Sequence, residues 1–292
     1  MELTNRCKDY WKLTRTKRPF STHVEEAGGL FLWPAFDALV GRIVEAVTCR
    51  QFLVVAGAAC SAKSVAWREA RRRVRDAGGL AWVAEPQGLD PHRYRETTLY
   101  HAIKYGIEPP DGSPQRRLAR SYEDRARQCR RLLEDCNDRG TTVVLAVNDA
   151  HACSRRFLLA CKRLWDDLYG FDRLLAVVLI GQPPLLRAVG GIAEIDQRAE
   201  VATLPGLGKH TAAYVQHEWA RCCAKGPRPA PLDEGAFEEL GRLAGRNPLT
   251  SRDHPLAVNN VVSLALHEAW RIKAQTIDRD LMAEAVRACR AG

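Results

Sequence analysis

Between residues 50 and 205 the chain alternates short, continuously apolar runs with longer stretches in which apolar residues recur every three or four positions. Runs of five or six mostly branched apolar residues predict buried strands, and the 3.6-residue recurrence predicts helices that pack on them by one face. Strands are accordingly expected at 52–57, 80–84, 142–147, 174–180 and 200–204. Helices are expected at about 34–47, 63–77, 92–105, 117–138, 154–168 and 183–189. Alternation of this kind needs crossover connections, so the strands should pair in parallel with helices on both faces of the sheet. The stretch Glu108-Pro109-Pro110-Asp111-Gly112-Ser113-Pro114 reads as loop from its proline and glycine content. Past Leu204-Pro205-Gly206-Leu207-Gly208 no strand-like run remains, and helices are expected near 209–223, 233–244, 256–272 and 278–290. Three segments follow from the pattern. They are a basic arm and leading helix at 1–50, an α/β core at 51–205 and a small helical domain at 206–292.

The 292 residues, 46% hydrophobic and 27% charged, are enough for one large core with a smaller appended domain. No apolar stretch approaches the roughly 20 residues needed to cross a bilayer, and the N-terminus lacks the apolar core of a secretion signal. A cytoplasmic protein with no membrane partner is expected. The ten cysteines show no zinc-ligand spacing and read as reduced, buried small hydrophobes. A net charge of +9 with 44 lysines and arginines points to nucleic-acid phosphate as a partner. The segment from Tyr10 to Phe20 is basic and aromatic. It reads either as an arm laid on a neighbour or on DNA, or as a strap packed on the chain's own core through Trp11 and Phe20.

The octet Gly57-Ala58-Ala59-Cys60-Ser61-Ala62-Lys63-Ser64 lies between a predicted strand and a predicted helix, where a phosphate-binding loop belongs. Such a loop aims successive backbone N–H groups and a helix N-terminus at phosphates, while its lysine neutralises them and its hydroxyl ligates magnesium. Lys63 and Ser64 have the required types, but Ala62 stands where the pattern has its second glycine and adds a Cβ there. Gly57, Cys60, Ser61, Ala62, Lys63 and Ser64 are therefore the candidate nucleotide contacts. The 142–147 strand ends in Asn148-Asp149-Ala150-His151, where phosphoryl transfer needs carboxylates. In one register Asn148 replaces the metal-side acid and Asp149 the water-orienting one. In the other, Asp149 is the metal-side acid and Ala150 leaves the water without a base. Ser64 and Asn148 are the candidate Mg2+ positions. Gln182, just beyond the 174–180 strand, is placed to meet a terminal phosphate or its water, or else caps the turn before Pro183. His151 is a sensor of the γ-phosphate, a contact to a neighbouring subunit, or a solvated cap neighbour.

These pieces, together with Val178-Leu179-Ile180-Gly181-Gln182-Pro183, Asp196-Gln197-Arg198-Ala199 and Pro255-Leu256-Ala257-Val258-Asn259-Asn260, resemble the AAA+ ATPases of the ExeA-like group. Within that group they are similar to the transposon target-selection ATPases of the TnsC/TniB kind, over about residues 10–290. The resemblance implies the P-loop NTPase (AAA+) fold class, an α/β parallel sheet with a C-terminal helical lid, and ATP with Mg2+ as cofactors. It puts Asn148 and Asp149 at the Walker B pair and Gln182 at the sensor-1 position. Arg198 matches the arginine finger offered to a neighbouring subunit's nucleotide. In the lid, Leu256 stands in place of the family's arginine, with Arg252 as the substitute. Members of that family form rings or helical filaments around duplex DNA and recruit transposase or its adaptor. Residues 91–104 are similar to the region that tracks phosphate, which implies Arg93, Arg95 and Lys104 as DNA contacts. The basic run from Arg68 to Arg75 and the arginine-rich 117–138 helix read as solvated faces or subunit contacts. The departures at Ala62, Asn148, Asp149 and Leu256 imply slow or absent turnover. A second reading keeps the fold and discards the ligand, giving a degenerate scaffold that oligomerises without productive ATP binding.

Overall fold

The computed structural model describes residues 2–21, 29–78, 81–88, 90–107, 117–245, 247 and 251–291. Two compact units result. One comprises Phe36–Gly57 with Lys63–Thr203, and the other comprises Met1–Ala35, Ala58–Ala62 and Leu204–Gly292. The strands are β1 (Phe52–Gly57), β2 (Ala81–Ala84), β3 (Thr142–Val147), β4 (Leu168–Tyr169), β5 (Asp172–Arg173), β6 (Ala176–Gly181) and β7 (Glu200–Leu204). The helices are α1 (Asn5–Tyr10), α2 (Pro34–Thr48), α3 (Lys63–Asp76), α4 (Glu96–Gly106), α5 (Tyr122–Asp138) and α6 (Arg155–Asp166), followed by α7 (Pro184–Gly190), α8 (Ala193–Asp196), α9 (Thr211–Ala220), α10 (Glu234–Gly241), α11 (Pro255–Arg271) and α12 (Arg279–Ala291).

Five strands form one sheet in the order β2-β3-β6-β1-β7, with β1–β6, β3–β6 and β2–β3 paired in parallel. All six residues of β1 are buried, which is why that strand is apolar at every position instead of alternating. From β1 the chain crosses to the far edge at β2, returns through β3 and β6, and lays β7 on the other side of β1. The carboxyl end of β1 is thus the place where the strand order reverses, the usual position of a ligand crevice in such sheets.

Local chemistry sets the helix ends. Ser154 accepts the amide of Phe157 at 3.2 Å to start α6, whose Phe157, Leu158, Cys161 and Trp165 face inward. Ser121 caps α5 through the amide of Asp124, and Glu123 and Asp124 sit in its first turn against the helix dipole. The helix expected from residue 92 starts later, at Glu96. Asp90 instead caps a short 3-10 turn at Pro91–Arg93, and Arg95 stays extended before the helix begins. A small hairpin, β4–β5, turns on Gly170 at φ 64°. The two-residue strands are too short to show a period, so the pattern does not reveal them.

In the other unit the N-terminal segment is a strap. Trp11 and Phe20 are buried, the Trp11 indole N–H donates to the Leu266 carbonyl at 3.2 Å, and Leu13 bridges to Cys223. The Lys8 ammonium closes the strap on itself by donating to the carbonyls of Arg15 and Lys17. Tyr214 of α9 donates to Asn259 of α11 at 2.8 Å. Asp253 accepts the amide of Gly208 at 2.5 Å and would collide with a Cβ at Gly206, so the turn before α9 has no room for a side chain at that position. The cysteine expectation needs correction. Cys7, Cys129, Cys136, Cys153, Cys161 and Cys222 are buried, but Cys49, Cys60 and Cys289 are exposed. The loop expected at 108–114 lies outside the described residues. Among the described residues no helix is long and apolar enough to cross a membrane.

Candidate functional site

The octet turns sharply between β1 and α3. Two of its residues without glycine's freedom hold left-handed backbone, Cys60 at φ 60° and Ala62 at φ 71°. Ala62 therefore adopts the conformation for which the pattern uses glycine, at a cost of about 1–2 kcal/mol to an L-residue. Ser61 is buried and its amide reaches the Ala58 carbonyl at 3.3 Å. Lys63 opens α3, is 9% exposed, and donates from Nζ to the Gly57 carbonyl at 3.0 Å. Ser64 is exposed in the first turn of the helix, where N–H groups lack intrahelical acceptors. A polyphosphate fits this end of α3 by donor chemistry, since it would take the open amides and the lysine charge together.

The neighbouring strand ends complete the crevice. Ala56 of β1 is level with Gly181 of β6, and Val147 of β3 is level with Leu179 of β6. The ends of β1, β6 and β3 thus lie side by side, each about 4.8 Å from the next. Asn148 and Asp149 are exposed just beyond β3. Asp149 is left-handed at φ 52°, ψ 33°, and throws the chain into a 3-10 turn at Ala150–Ala152, a conformation aspartate tolerates better than most residues. That turn sits against the end of β6 so closely that a Cβ on Gly181 would lie 3.0 Å from the His151 amide nitrogen. The Gln182 amide donates to Nδ1 of His151 at 3.4 Å, which leaves the neutral ring its proton on Nε2. His151 is therefore tied to the β6 end instead of being a solvated cap neighbour. Among the described residues no cluster of three His, Cys, Asp or Glu side chains can hold a metal unaided, so Mg2+ at Ser64 and Asn148 would need phosphate oxygens as ligands.

Arg198 stands apart from these strand ends in hydrogen bonding. Its side chain is 55% exposed and pairs at 3.1 Å with Asp166 at the end of α6, a carboxylate that also holds Lys162 and lies 3.7 Å from Arg173.

The three residues implied as DNA contacts divide. Arg93 is 87% exposed and 3.2 Å from Asp90, and Arg95 is exposed. Lys104, in contrast, is only 4% exposed, on the inward face of α4 near Cys129, whose thiol burial pushes up to about 12 against a smaller opposing effect of the Lys104 charge. An ammonium held there does not reach a duplex, and the expectation for Lys104 is corrected. Residues that sequence reasoning missed join the exposed pair. A cavity of about 590 Å³ is lined by His92, Tyr94, Arg95, Tyr122, Ser154 and Arg156, bringing the start of α6 beside the 91–95 turn. The Glu96 carboxylate on the same wall is taken by the hydroxyls of Tyr100 and Tyr122. Arg156 lies some sixty positions from Arg95 and no motif includes it, so only the fold could bring it to this groove.

No family model and no curated protein matches the chain. Solved structures do resemble it. Cdc6p of Pyrobaculum aerophilum aligns over 95% of this chain and 69% of its own length, at a TM-score of 0.60 and 14% identity. Drosophila ORC bound to DNA aligns over 93% and 64%, at 0.59 and 15%. The Aeropyrum pernix ORC1 protein in complex with DNA aligns over 91% and 67%, at 0.55 and 14%. The chain thus spans about two thirds of the length of these proteins, and at such identities the likeness is one of fold. With its parallel sheet in the order β2-β3-β6-β1-β7, its loop after the switch-point strand and its helical C-terminal region, the chain has the α/β P-loop fold of the AAA+ ATPases.

Proposed function

We propose that this protein is an AAA+ nucleotide-binding regulator of DNA transposition, which assembles on duplex DNA with ATP and recruits a transposase or its adaptor to the target site. The observation that carries the nucleotide part is the phosphate loop itself. Lys63 and the open amides of α3 stand at the carboxyl end of β1, beside the ends of β6 and β3. Bound ATP with Mg2+ would supply the polyphosphate charge and the scissile anhydride. Gly57, Cys60, Ser61, Ala62 and Lys63 would hold the phosphates, and Ser64 and Asn148 would lie on the metal side. Asp149 and Gln182 are the groups available to orient water, and Arg198 from a second copy would meet the same phosphates. An interface ligand needs to be bound but not turned over, so weak hydrolysis is compatible with this role.

The DNA part is supported by the +9 charge, by the exposed Arg93, Arg95 and Arg156, and by the DNA complexes in which two of the similar folds were solved. The transposition part rests on the resemblance of the 57–64, 148–151, 178–183, 196–199 and 255–260 segments. Electron microscopy and sedimentation with duplex DNA and a non-hydrolysable ATP analogue test assembly. Ordered, nucleotide-dependent oligomers in the wild type and none in Lys63→Ala are expected. Equal DNA binding with and without nucleotide would sink the proposal, and failure of the preformed assembly to retain any transposase or transposition adaptor offered to it would remove the transposition part.

A second reading, the scaffold without a ligand, draws on Ala62, on Asn148 and on the Lys63 ammonium, which already rests on a backbone carbonyl. Calorimetric titration of ATP into wild type and Lys63→Ala separates the two readings. Negligible binding by both proteins would leave only the scaffold.

A further inference from the structure

The basic segment from Tyr10 to Phe20 has two faces, and the proposed function uses neither. Trp11, Leu13 and Phe20 are buried, while Lys12, Arg15, Lys17 and Arg18 between them are exposed. Packing and charge thus divide one stretch of chain, in which the apolar side chains hold the strap down and the cations stay in solvent. Lys12 stands there although its φ of 52° lies in the left-handed region that favours glycine.

The fold sets a second basic stretch beside this one. Leu13 bridges antiparallel to Cys223, the Thr14 amide donates to the Cys222 carbonyl at 2.8 Å, and the Ala224 amide donates to the Lys12 carbonyl at 3.1 Å. The Lys17 ammonium donates to the Arg221 carbonyl at 2.9 Å, and the Arg221 guanidinium reaches the Arg18 carbonyl at 3.3 Å. The strap and the 221–225 turn therefore run side by side, about 5 Å apart, which brings exposed Lys225 to the end of the strap where Lys12 stands. Neither 12–18 nor 221–225 contains an acidic residue. Carboxylates from outside hold only part of the charge, with Asp9 on Arg15 at 2.6 Å, Glu2 on Arg18 at 3.1 Å and Glu218 on Arg221 at 2.8 Å. Among the described residues no ion pair reaches Lys12, Lys17 or Lys225.

The chemistry absent from this patch narrows its partner. No exposed large hydrophobic side chain falls in either stretch, and the Tyr10 hydroxyl is bonded to the Ala274 carbonyl. A protein interface needs an apolar or aromatic centre, and an unpaired base needs a ring to stack on. A duplex phosphate backbone needs only cations set along it. We propose that the strap, with the 221–225 turn, is a second DNA-contacting surface, on which Lys12, Lys17 and Lys225 meet duplex phosphates without reading sequence. It rests on the reading of the protein as DNA-binding, but not on the groove at Arg95 and Arg156, which belongs to the other compact unit.

Fluorescence anisotropy of a labelled duplex, titrated with the full chain at several salt concentrations and with a non-hydrolysable ATP analogue present, tests it. Lys12→Gln/Lys17→Gln/Lys225→Gln should lower the slope of log affinity against log salt by about 0.9 for each phosphate released, up to about 2.7 in all. The same decrement is expected in an Arg95→Ala/Arg156→Ala background. Lys12→Arg/Lys17→Arg/Lys225→Arg should keep the wild-type slope, because the charge is retained. An unchanged slope in the glutamine variant overturns the proposal, and if Arg95→Ala/Arg156→Ala lowers it in the same experiment, DNA binding through the groove still stands. The converse, a slope lowered by the lysine changes alone, upholds the strap surface and removes the groove contacts. Polyglutamate or phosphatidylserine vesicles binding more tightly than the duplex at equal salt overturn the proposal in favour of an acidic protein or a membrane surface. Circular dichroism melts show that each variant folds, and Lys17→Gln/Lys225→Gln decides the matter should the change at left-handed Lys12 disturb the turn.

Discussion

At the scale of single residues, Ala62 carries the most instructive conflict between local preference and site. Its φ of 71° is one that glycine adopts freely and alanine does not. Ala62→Gly should relieve that strain, partly offset by the greater freedom glycine has in the unfolded chain. We expect net stabilisation of up to about 1 kcal/mol, seen as a higher melting temperature, with ATP bound at least as tightly. A lower melting temperature would show that the alanine methyl is packed to advantage. Glu69 makes a second residue-level case. It is 4% exposed, and its hydrogen bond from Arg72, with a further one from Arg73, holds its carboxyl below the ordinary value of 4.5. Because the folded value lies below the unfolded one, the stabilisation is fully present above pH 4.5 and is lost as pH falls through the lower, folded value. The melting temperature of wild type should exceed that of Glu69→Gln at neutral pH, and the gap should close as acid is added. A gap independent of pH would mean that packing, not charge, is what Glu69 contributes.

At the scale of elements, the N-terminal strap shows what a short amphipathic segment gains from a distant partner. A six-residue helix such as α1 is too short to persist alone. It is held because Trp11 is buried and its N–H finds the Leu266 carbonyl. Trp11→Ala should cost about 3–5 kcal/mol, read by urea unfolding, and should make the first twenty residues susceptible to protease before the rest of the chain. Uniform resistance after the substitution would mean that Phe20 and the Lys8 bonds hold the strap without it. The strand ends show a similar dependence on close approach. Gly181→Ala places a methyl 3.0 Å from the His151 amide and from Leu185, so the 150–152 turn carrying Asp149 must shift. Loss of nucleotide affinity with the fold retained is the expected outcome by titration.

At the scale of the whole molecule, charge and burial separate residues that a sequence treats alike. Arg95, Arg156 and Lys104 are all basic, but the first two are exposed beside one groove and the third is 4% exposed. If the groove follows a duplex, Arg95→Ala and Arg156→Ala should each lower the slope of log affinity against log salt by about 0.9 for every phosphate no longer neutralised. Lys104→Ala should leave that slope unchanged and lower the melting temperature instead. A reduced slope for Lys104→Ala would show that α4 opens when DNA binds.

The positions of the five strands of the main sheet, the parallel α/β class and the place of the octet between strand and helix were legible in the chain itself. Each rests on periodicity, turn residues and branched apolar runs, which act between near neighbours. The helix start moved from 92 to 96 because one capping aspartate and one extended arginine outweighed the apolar pattern. What the tertiary structure alone decided is of another kind. It chose the strap over the free arm, buried Lys104, tied His151 to the end of β6 and brought Arg156 beside Arg95. A long charged side chain has no local preference for inside or outside, because its burial is settled by the groups that surround it, and these come from segments far apart in the chain.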